Sequence, residues 1–205
     1  MLNEAEMDWK NDELNFIHQW ILPKVISLLP TRENLNILDA GCGNGATAFY
    51  LSKLDHRVTG IDLSESGIAI ASKYTKNIVV KKMSVYDSLH VLVPQNGFDC
   101  IISLDVIEHL YSPEKFLFNM YNNLASDGAL ILSTPYHGYL KNLMLSLCGR
   151  WDHHFGALDE GGHIKFFSEE TLKKLLNATG FKNVKFSNAG RFPYIWKSII
   201  CVAYK

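Results

Sequence analysis

Three groups of residues carry most of the reactive chemistry in this sequence, and their spacing is informative. Asp39 stands two residues before Gly41-Cys42-Gly43-Asn44-Gly45, a run in which every second residue lacks a side chain. Such a run lets the backbone turn sharply and lets a ligand approach it closely. Asp62 ends a second short stretch, Arg57-Val58-Thr59-Gly60-Ile61, where a carboxylate is placed to accept from a ribose diol. Asp105, Glu108 and His109 have i, i+3, i+4 spacing, which would gather them on one face of a helical turn. Oxygen and imidazole ligands gathered in this way could hold Mg²⁺ or a similar divalent ion, which lowers the pKa of a bound hydroxyl. His137, His153, His154 and His163 follow. With His109 they are the candidates for proton transfer near neutral pH.

The elements around the glycines say what they can bind. Ile37, Leu38 and Ala40 read as a buried parallel strand, and Ala46 to Leu54 as a helix. The loop therefore empties into a helix N-terminus, whose free N–H groups suit a carboxylate or phosphate. Gly41-x-Gly43-x-x-Ala46 also fits the dinucleotide-binding pattern loosely. Asp39 separates the two ligand classes. It would repel a pyrophosphate, whereas it would attract a ligand carrying an ammonium and a sulfonium. An acid at Asp62 serves both classes. Asp39, the glycines and Asp62 together point to S-adenosylmethionine (SAM), with a nicotinamide-dependent oxidoreductase as the rival reading and a non-catalytic SAM-binding module as a second.

Ile37-Leu38-Asp39-Ala40-Gly41-Cys42-Gly43-Asn44-Gly45 resembles the first motif of class I SAM-dependent methyltransferases, and Val58-Thr59-Gly60-Ile61-Asp62-Leu63 their second. Phe98 to Leu110 is similar to the fourth-strand motif of the ubiquinone-biosynthesis O-methyltransferase branch (methyltransferase types 11 and 12). The resemblance is closest over Asn34 to Tyr136. It implies a Rossmann-like, seven-stranded α/β sheet, mostly parallel, with an antiparallel edge hairpin. It also implies that Asp39, Gly41 and Gly43, with Cys42 between them, hold the methionine end of SAM, and that Asp62 holds the ribose. Leu63, Ser84, Val85 and Tyr86 would border adenine, with Asp87 near its exocyclic amine. Ser103 and Leu104 would lie under the sulfonium. Similar enzymes carry two glutamates and a histidine at 105, 108 and 109, so Asp105 is a departure there. The reaction implied is methyl transfer to a small-molecule hydroxyl, releasing S-adenosylhomocysteine; nitrogen, carbon or sugar acceptors remain open.

Composition fits this frame. The chain has 205 residues, 47% apolar and 20% charged, enough for one domain over 1–205 with a full core. Net charge is −1, and no lysine run is interleaved with aromatics, so nucleic acid is a poor partner. The first ten residues lack the layout of a signal peptide, no apolar run is long enough to span a bilayer, and four scattered cysteines suit reduced thiols. These features lead to an expected cytoplasmic location.

The remaining chain supplies the scaffold. Leu14 to Leu29 reads as a helix kinked at Pro23, making 1–33 a helical cap. Ser64 is placed to cap Glu65–Tyr74, Ser112-Pro113-Glu114 starts a helix that runs to about Leu124 and stops at Asp127-Gly128, and Ser168 opens another. Strands are expected at 78–83, 98–103, 129–134, 181–187 and 198–204. Alternation of strands and helices predicts a parallel, doubly wound sheet with ligands at its carboxyl edge. Residues 136–167 are long for a connection and read as a lid or substrate insert. Within it, the helix Gly138–Leu147 is amphipathic enough for a weak peripheral membrane contact. Trp151 and Phe155 flank His153 and His154, which would line an aromatic acceptor pocket. His163 follows two glycines, which would let it swing over a substrate. His109, His163 and His153 are the leading catalytic histidines.

Overall fold

The computed structural model describes residues 7–74, 78–155, 158, 161–190, 192 and 196–205, leaving aside the side chain of His153. Seven strands form one sheet: β1 (Asn36–Ala40), β2 (Arg57–Asp62), β3 (Ile78–Lys82), β4 (Phe98–Leu104), β5 (Leu124–Pro135), β6 (Lys182–Ala189) and β7 (Ser198–Tyr204). Their order across the sheet is β3-β2-β1-β4-β5-β7-β6. The first five are parallel, and β7 pairs antiparallel with both β5 and β6. The expected mostly parallel α/β sheet with an antiparallel edge hairpin is what forms. Its chain reverses direction of winding at β1/β4, the place where such sheets leave a crevice at their carboxyl ends.

Alternating side chains give the sheet two buried faces. Leu38, Ile101, Leu130 and Leu132 point to one side, where Phe116, Leu117 and Met120 of α4 (Pro113–Asn123) meet Leu172 and Leu176 of α7 (Glu169–Ala178). Ile37, Cys100, Ile102, Ala129 and Ile131 point to the other side, against Ile21 and Val25 of α1 (Phe16–Leu28) and Ala48 and Leu51 of α2 (Ala46–Ser52). Apolar residues buried on both faces are why these strands read as continuous hydrophobic runs.

Two sequence expectations change here. Helix α4 ends at Asn123, and β5 begins at once, running through Asp127-Gly128. The register accommodates the turn-like residues: Phe98 pairs with Leu124 and Cys100 with Ala129, so the intervening residues bulge out of the ladder. Helix α1 runs through Pro23 and begins only at Phe16, capped by the Asn15 side chain, which accepts from the Ile17 N–H at 3.0 Å. The stretch before it, from Met7, is an extended strap rather than part of a helical cap. The insert carries α5 (Tyr139–Leu147) and α6 (Trp151–Phe155). Among the described residues, no helix is long and apolar enough to cross a membrane.

Candidate active site

The site begins where β1 runs out. Gly41 has φ +87°, and both its N–H and that of Cys42 donate to the Ile61 carbonyl, at 2.8 and 3.0 Å. The loop is thereby folded over the end of β2. A Cβ on Gly41 would lie 2.3 Å from Cγ2 of Val106, so both the dihedral and the space exclude a side chain. Gly45, also at positive φ, is the residue from which α2 (Ala46–Ser52) starts.

Asp62, at the end of β2, closes onto this loop. Its Oδ2 accepts from the Gly43 N–H at 2.8 Å, and its Oδ1 from the Ser64 N–H at 2.7 Å. Charge-assisted bonds of this kind fix a carboxylate firmly. Ser64 in turn caps α3 (Glu65–Ala71), its Oγ accepting from Gly67 N–H at 3.0 Å. Asp39 is 2% exposed, and its Oδ2 has no hydrogen-bond partner. Burial, reinforced by the charge of Asp62, pushes its carboxyl up to about 7. An orphaned buried oxygen beside a bare loop fits a ligand that brings its own cation and donors.

The N-terminal strap, which sequence reasoning missed, covers the loop from outside. The Trp9 indole lies where a Cβ of Gly43 would be, 2.3 Å from that position. The Trp9 backbone N–H donates to Ser66 Oγ at 2.9 Å, and Asn44 Nδ2 donates to the carbonyls of Asn11 and Glu13, both at 2.9 Å. These contacts join residues more than thirty positions apart, so no local pattern announces them.

A cavity of about 410 Å³ opens between the strap, the glycine loop and the carboxyl ends of β2 and β4. Gly41, Cys42, Asp62, Leu63, Val85 and Leu104 line it, as expected of cofactor-binding residues. Five other expected residues lie off its wall, the buried Asp39 among them. Gly43 faces Trp9 and Asp62. Ser84 and Tyr86 hold the loop after β3, Ser84 N–H donating to Asp87 Oδ2 and Tyr86 accepting from the Ser112 N–H. Ser103 donates to the Ala40 carbonyl at 2.7 Å, clamping β4 to β1.

The other end of the cavity is walled by His18, Asp105, Glu108, His109 and His163. Asp105 sits at φ +54°, a left-handed backbone that a non-glycine residue adopts only when its surroundings impose it. Ser133 imposes it here: the Asp105 N–H donates to Ser133 Oγ at 3.0 Å, and that hydroxyl donates to Asp105 Oδ1 at 2.7 Å. The expected helical turn is a three-residue 3-10 turn, Ile107–His109. Asp105 lies outside it and is committed to Ser133, with His18 Nε2 3.7 Å from its Oδ2. The groups that do converge are Glu108, His109 and His163, whose ligand atoms lie within 4.8 Å of one another. One carboxylate and two imidazoles are a poor match for Mg²⁺, which takes oxygen ligands in octahedral array. The Mg²⁺ expectation at Asp105, Glu108 and His109 therefore does not fit this structure.

Glu108 is fully buried, and neither carboxylate oxygen meets a hydrogen-bond partner; the Thr134 hydroxyl is near without bonding geometry. Burial and the neighbouring Asp105 hold its carboxyl well above the usual range, which favours the protonated form. Its backbone carbonyl accepts from the Ile164 and Lys165 N–H groups, both at 2.9 Å, which pins the end of the insert and brings His163 edge-on to His109 at 4.9 Å between ring centroids. His109 Nδ1 lies 2.7 Å from the Gly161 carbonyl, which can only accept. Nδ1 therefore carries the hydrogen. His137 is off the wall, packed among Phe155 and Phe166, and burial with nearby Lys141 takes it down to about 4. The rings of His154, Trp151 and Phe155 pack on one another instead of lining the cavity. The His153 side chain falls outside the described residues.

His18 was not a sequence candidate. Its signal was nonetheless there: with Ile21, Leu22 and Val25 it occupies i, i+3, i+4, i+7 positions on the buried face of α1, a polar residue on an apolar stripe.

A sheet of this order, with an acid at the end of β2 closing onto the glycine loop after β1 beside one cavity, is the frame of a class I methyltransferase. Comparison with known proteins agrees: a family model described as a methyltransferase domain matches residues 14–185. The ubiquinone biosynthesis O-methyltransferase of Rickettsia canadensis (strain McKiel) is 33% identical over 169 residues, which is 80% of this chain and 70% of that protein. That of Rickettsia felis is 32% identical over 134 residues, and the match spans 55% of that protein. Among solved structures, a SAM-dependent methyltransferase from Aquifex aeolicus has a TM-score of 0.67 at 20% identity, covering 94% of each chain. Magnesium protoporphyrin IX methyltransferase from Synechocystis PCC 6803, solved with bound S-adenosylhomocysteine, scores 0.71 at 20% identity over 94% of this chain and 89% of that one. The chain belongs to the SAM-dependent methyltransferase family.

Proposed function

We propose that this protein transfers the methyl group of SAM to a hydroxyl oxygen of a small-molecule acceptor. One observation carries the reading: the glycine loop with Asp62 and the wall of His18, Asp105, His109 and His163 open on the same cavity. Donor-binding and proton-accepting groups thus face one space, as an in-line displacement at oxygen requires. The relatives named as O-methyltransferases support oxygen as the acceptor atom.

SAM, when bound, supplies an activated methyl on a sulfonium, so the chain need only bind, orient and manage a proton. Asp39, Gly41, Cys42 and Gly43 would hold the methionine end. Asp62 would take the ribose hydroxyls, Leu63 and Val85 would flank adenine, and Leu104 would lie under the sulfonium. His109 and His163 would wall the acceptor, with residues 136–167 as its lid. The volume of about 410 Å³ falls in the ordinary range for a small-molecule site.

The test is incubation with methyl-labelled SAM and a panel of catechols and phenols, followed by mass spectrometry. Labelled methyl ethers and S-adenosylhomocysteine in equal amounts are expected. Labelled amines instead would move the acceptor to nitrogen, and SAM binding without S-adenosylhomocysteine from any acceptor would leave a binding module.

A further inference from the structure

We propose that His18, held against the Asp105 carboxylate, is the base that takes the acceptor's hydroxyl proton; the inference rests on reading the cavity as a methyl-transfer site. Three observations carry it. His18 occupies the inward face of α1 yet reaches the cavity, and its Nε2 stands 3.7 Å from Asp105 Oδ2. The carboxylate it faces is immobilised: Oδ1 accepts from Ser133 Oγ, and the Asp105 backbone is held in a left-handed conformation by two bonds to Ser133. Strain of that kind persists where a side chain must be aimed. The pair repeats the logic of a base oriented by a third group.

Three other titratable groups of the cavity are less suited. Asp8 comes from the strap, and Glu108 is buried, with its carboxyl pushed up by burial first and by the charge of Asp105 second. His163 feels the charge of His109, so a proton on either disfavours one on the other. A proton on His18 is instead compensated by Asp105, while burial keeps the ring neutral beforehand.

With Nε2 turned toward Asp105, that nitrogen carries the hydrogen and Nδ1 keeps the lone pair. The acceptor's O–H proton passes to Nδ1 as the O–CH₃ bond forms. The S–CH₃ bond breaks with its electron pair staying on sulfur, and the imidazolium later returns its proton to water.

4-Nitrocatechol tests this directly, because its phenolate absorbs in the visible and the phenol ionises in the neutral range. In the presence of S-adenosylhomocysteine, below the pH at which the free phenol ionises, the bound ligand should show the phenolate band with wild-type protein. His18→Gln should bind it as the neutral phenol, and Asp105→Asn should give a reduced band. Single-turnover methylation should fall about 100-fold in His18→Gln, with the SAM dissociation constant unchanged by calorimetry. A full phenolate band in His18→Gln, or none in a wild-type protein that binds SAM, overturns the assignment of His18. A wild-type protein that binds no SAM overturns the wider reading instead.

Discussion

The two ends of the cavity are built in different ways. The donor end is made by backbone: peptide N–H groups of Gly41, Cys42, Gly43 and Ser64 are all spent on Ile61 and Asp62 within two adjacent strands of the sheet. The acceptor end is made by side chains that arrive from separate places, His18 from α1, Asp105 from the residue after β4 and His163 from the insert. Backbone geometry constrains residue type tightly, whereas a wall of side chains can change partner by substitution. A common donor pocket with an adjustable acceptor pocket is what that division allows.

The contrast breaks first at Asp62 if it is wrong. Asp62→Ala removes two charge-assisted hydrogen bonds that order the loop, each worth about 1.5–3 kcal/mol, along with the proposed ribose contact. SAM affinity should fall about 100-fold by calorimetry. An unchanged dissociation constant would show that the loop keeps its shape without the acid.

Asp39 gives the next effect, and its sign is opposite to the usual carboxylate. The folded chain holds a proton up to about 7, whereas the unfolded carboxyl releases it near 3.8. The stability this contributes is fully present below the unfolded value and is lost as pH climbs through about 7. Without SAM, Asp39→Asn should therefore unfold at a higher temperature than wild type at pH 8, by less at pH 5, and at nearly the same temperature once the pH is below the unfolded value of 3.8. A gain of a few degrees is expected, at about 2–4 °C per kcal/mol for a chain of this size. SAM binding should weaken in the same variant and lose its rise with pH, because the cationic donor favours the ionised acid. A melting point below wild type at pH 8 would mean that Asp39 is charged and satisfied in the free protein.

Trp9 sharpens the comparison, since its indole lies against the donor loop from the strap. Trp9→Ala uncovers Gly43 while leaving every backbone bond of the loop in place. Dissociation of S-adenosylhomocysteine, followed by stopped-flow chase, should quicken about 10-fold, an effect of about 1.4 kcal/mol, with a smaller change in global stability. An equal loss of both would make Trp9 part of the core instead of a cover.

The same division explains what could be read in the sequence. Asp39, the alternate glycines and Asp62 were legible because the demands that select them lie within a few residues: a positive φ, a blocked Cβ, a strand end. The caps Ser64 and Ser168 were legible for the same reason, the latter in a reciprocal pair with Thr171. His18 was not, because its meaning comes from Asp105, 87 positions away, and nothing in its own neighbourhood differs from a core position with one odd residue. Trp9 likewise matters only through Gly43, Ser66 and Gly67. The triad Asp105, Glu108 and His109 misled because its spacing is helical while its backbone is not: a left-handed residue followed by a 3-10 turn sends Asp105 to β5. At the start of β5, Asp127-Gly128 looks like a turn and is one in miniature, absorbed as a bulge.

The smallest expected effect lies at the far edge of the acceptor end. Helix α5 has no buried residue, Tyr139 is 82% exposed and Leu147 78% exposed, so its apolar side chains give the folded state little that the unfolded state lacks. The segment is tied down instead by polar contacts, Lys141 Nζ donating to the Tyr136 carbonyl at 2.9 Å and Asn142 Nδ2 to that of His137 at 3.1 Å. Leu147→Gln should therefore change unfolding free energy by no more than about 0.5 kcal/mol and leave SAM affinity untouched, as read by urea denaturation and calorimetry. A loss of about 2 kcal/mol or more, the cost of truncating a packed core leucine, would place α5 against the domain in solution. The acceptor end would then be as firmly framed as the donor end, and the contrast between them would reduce to one of chemistry alone.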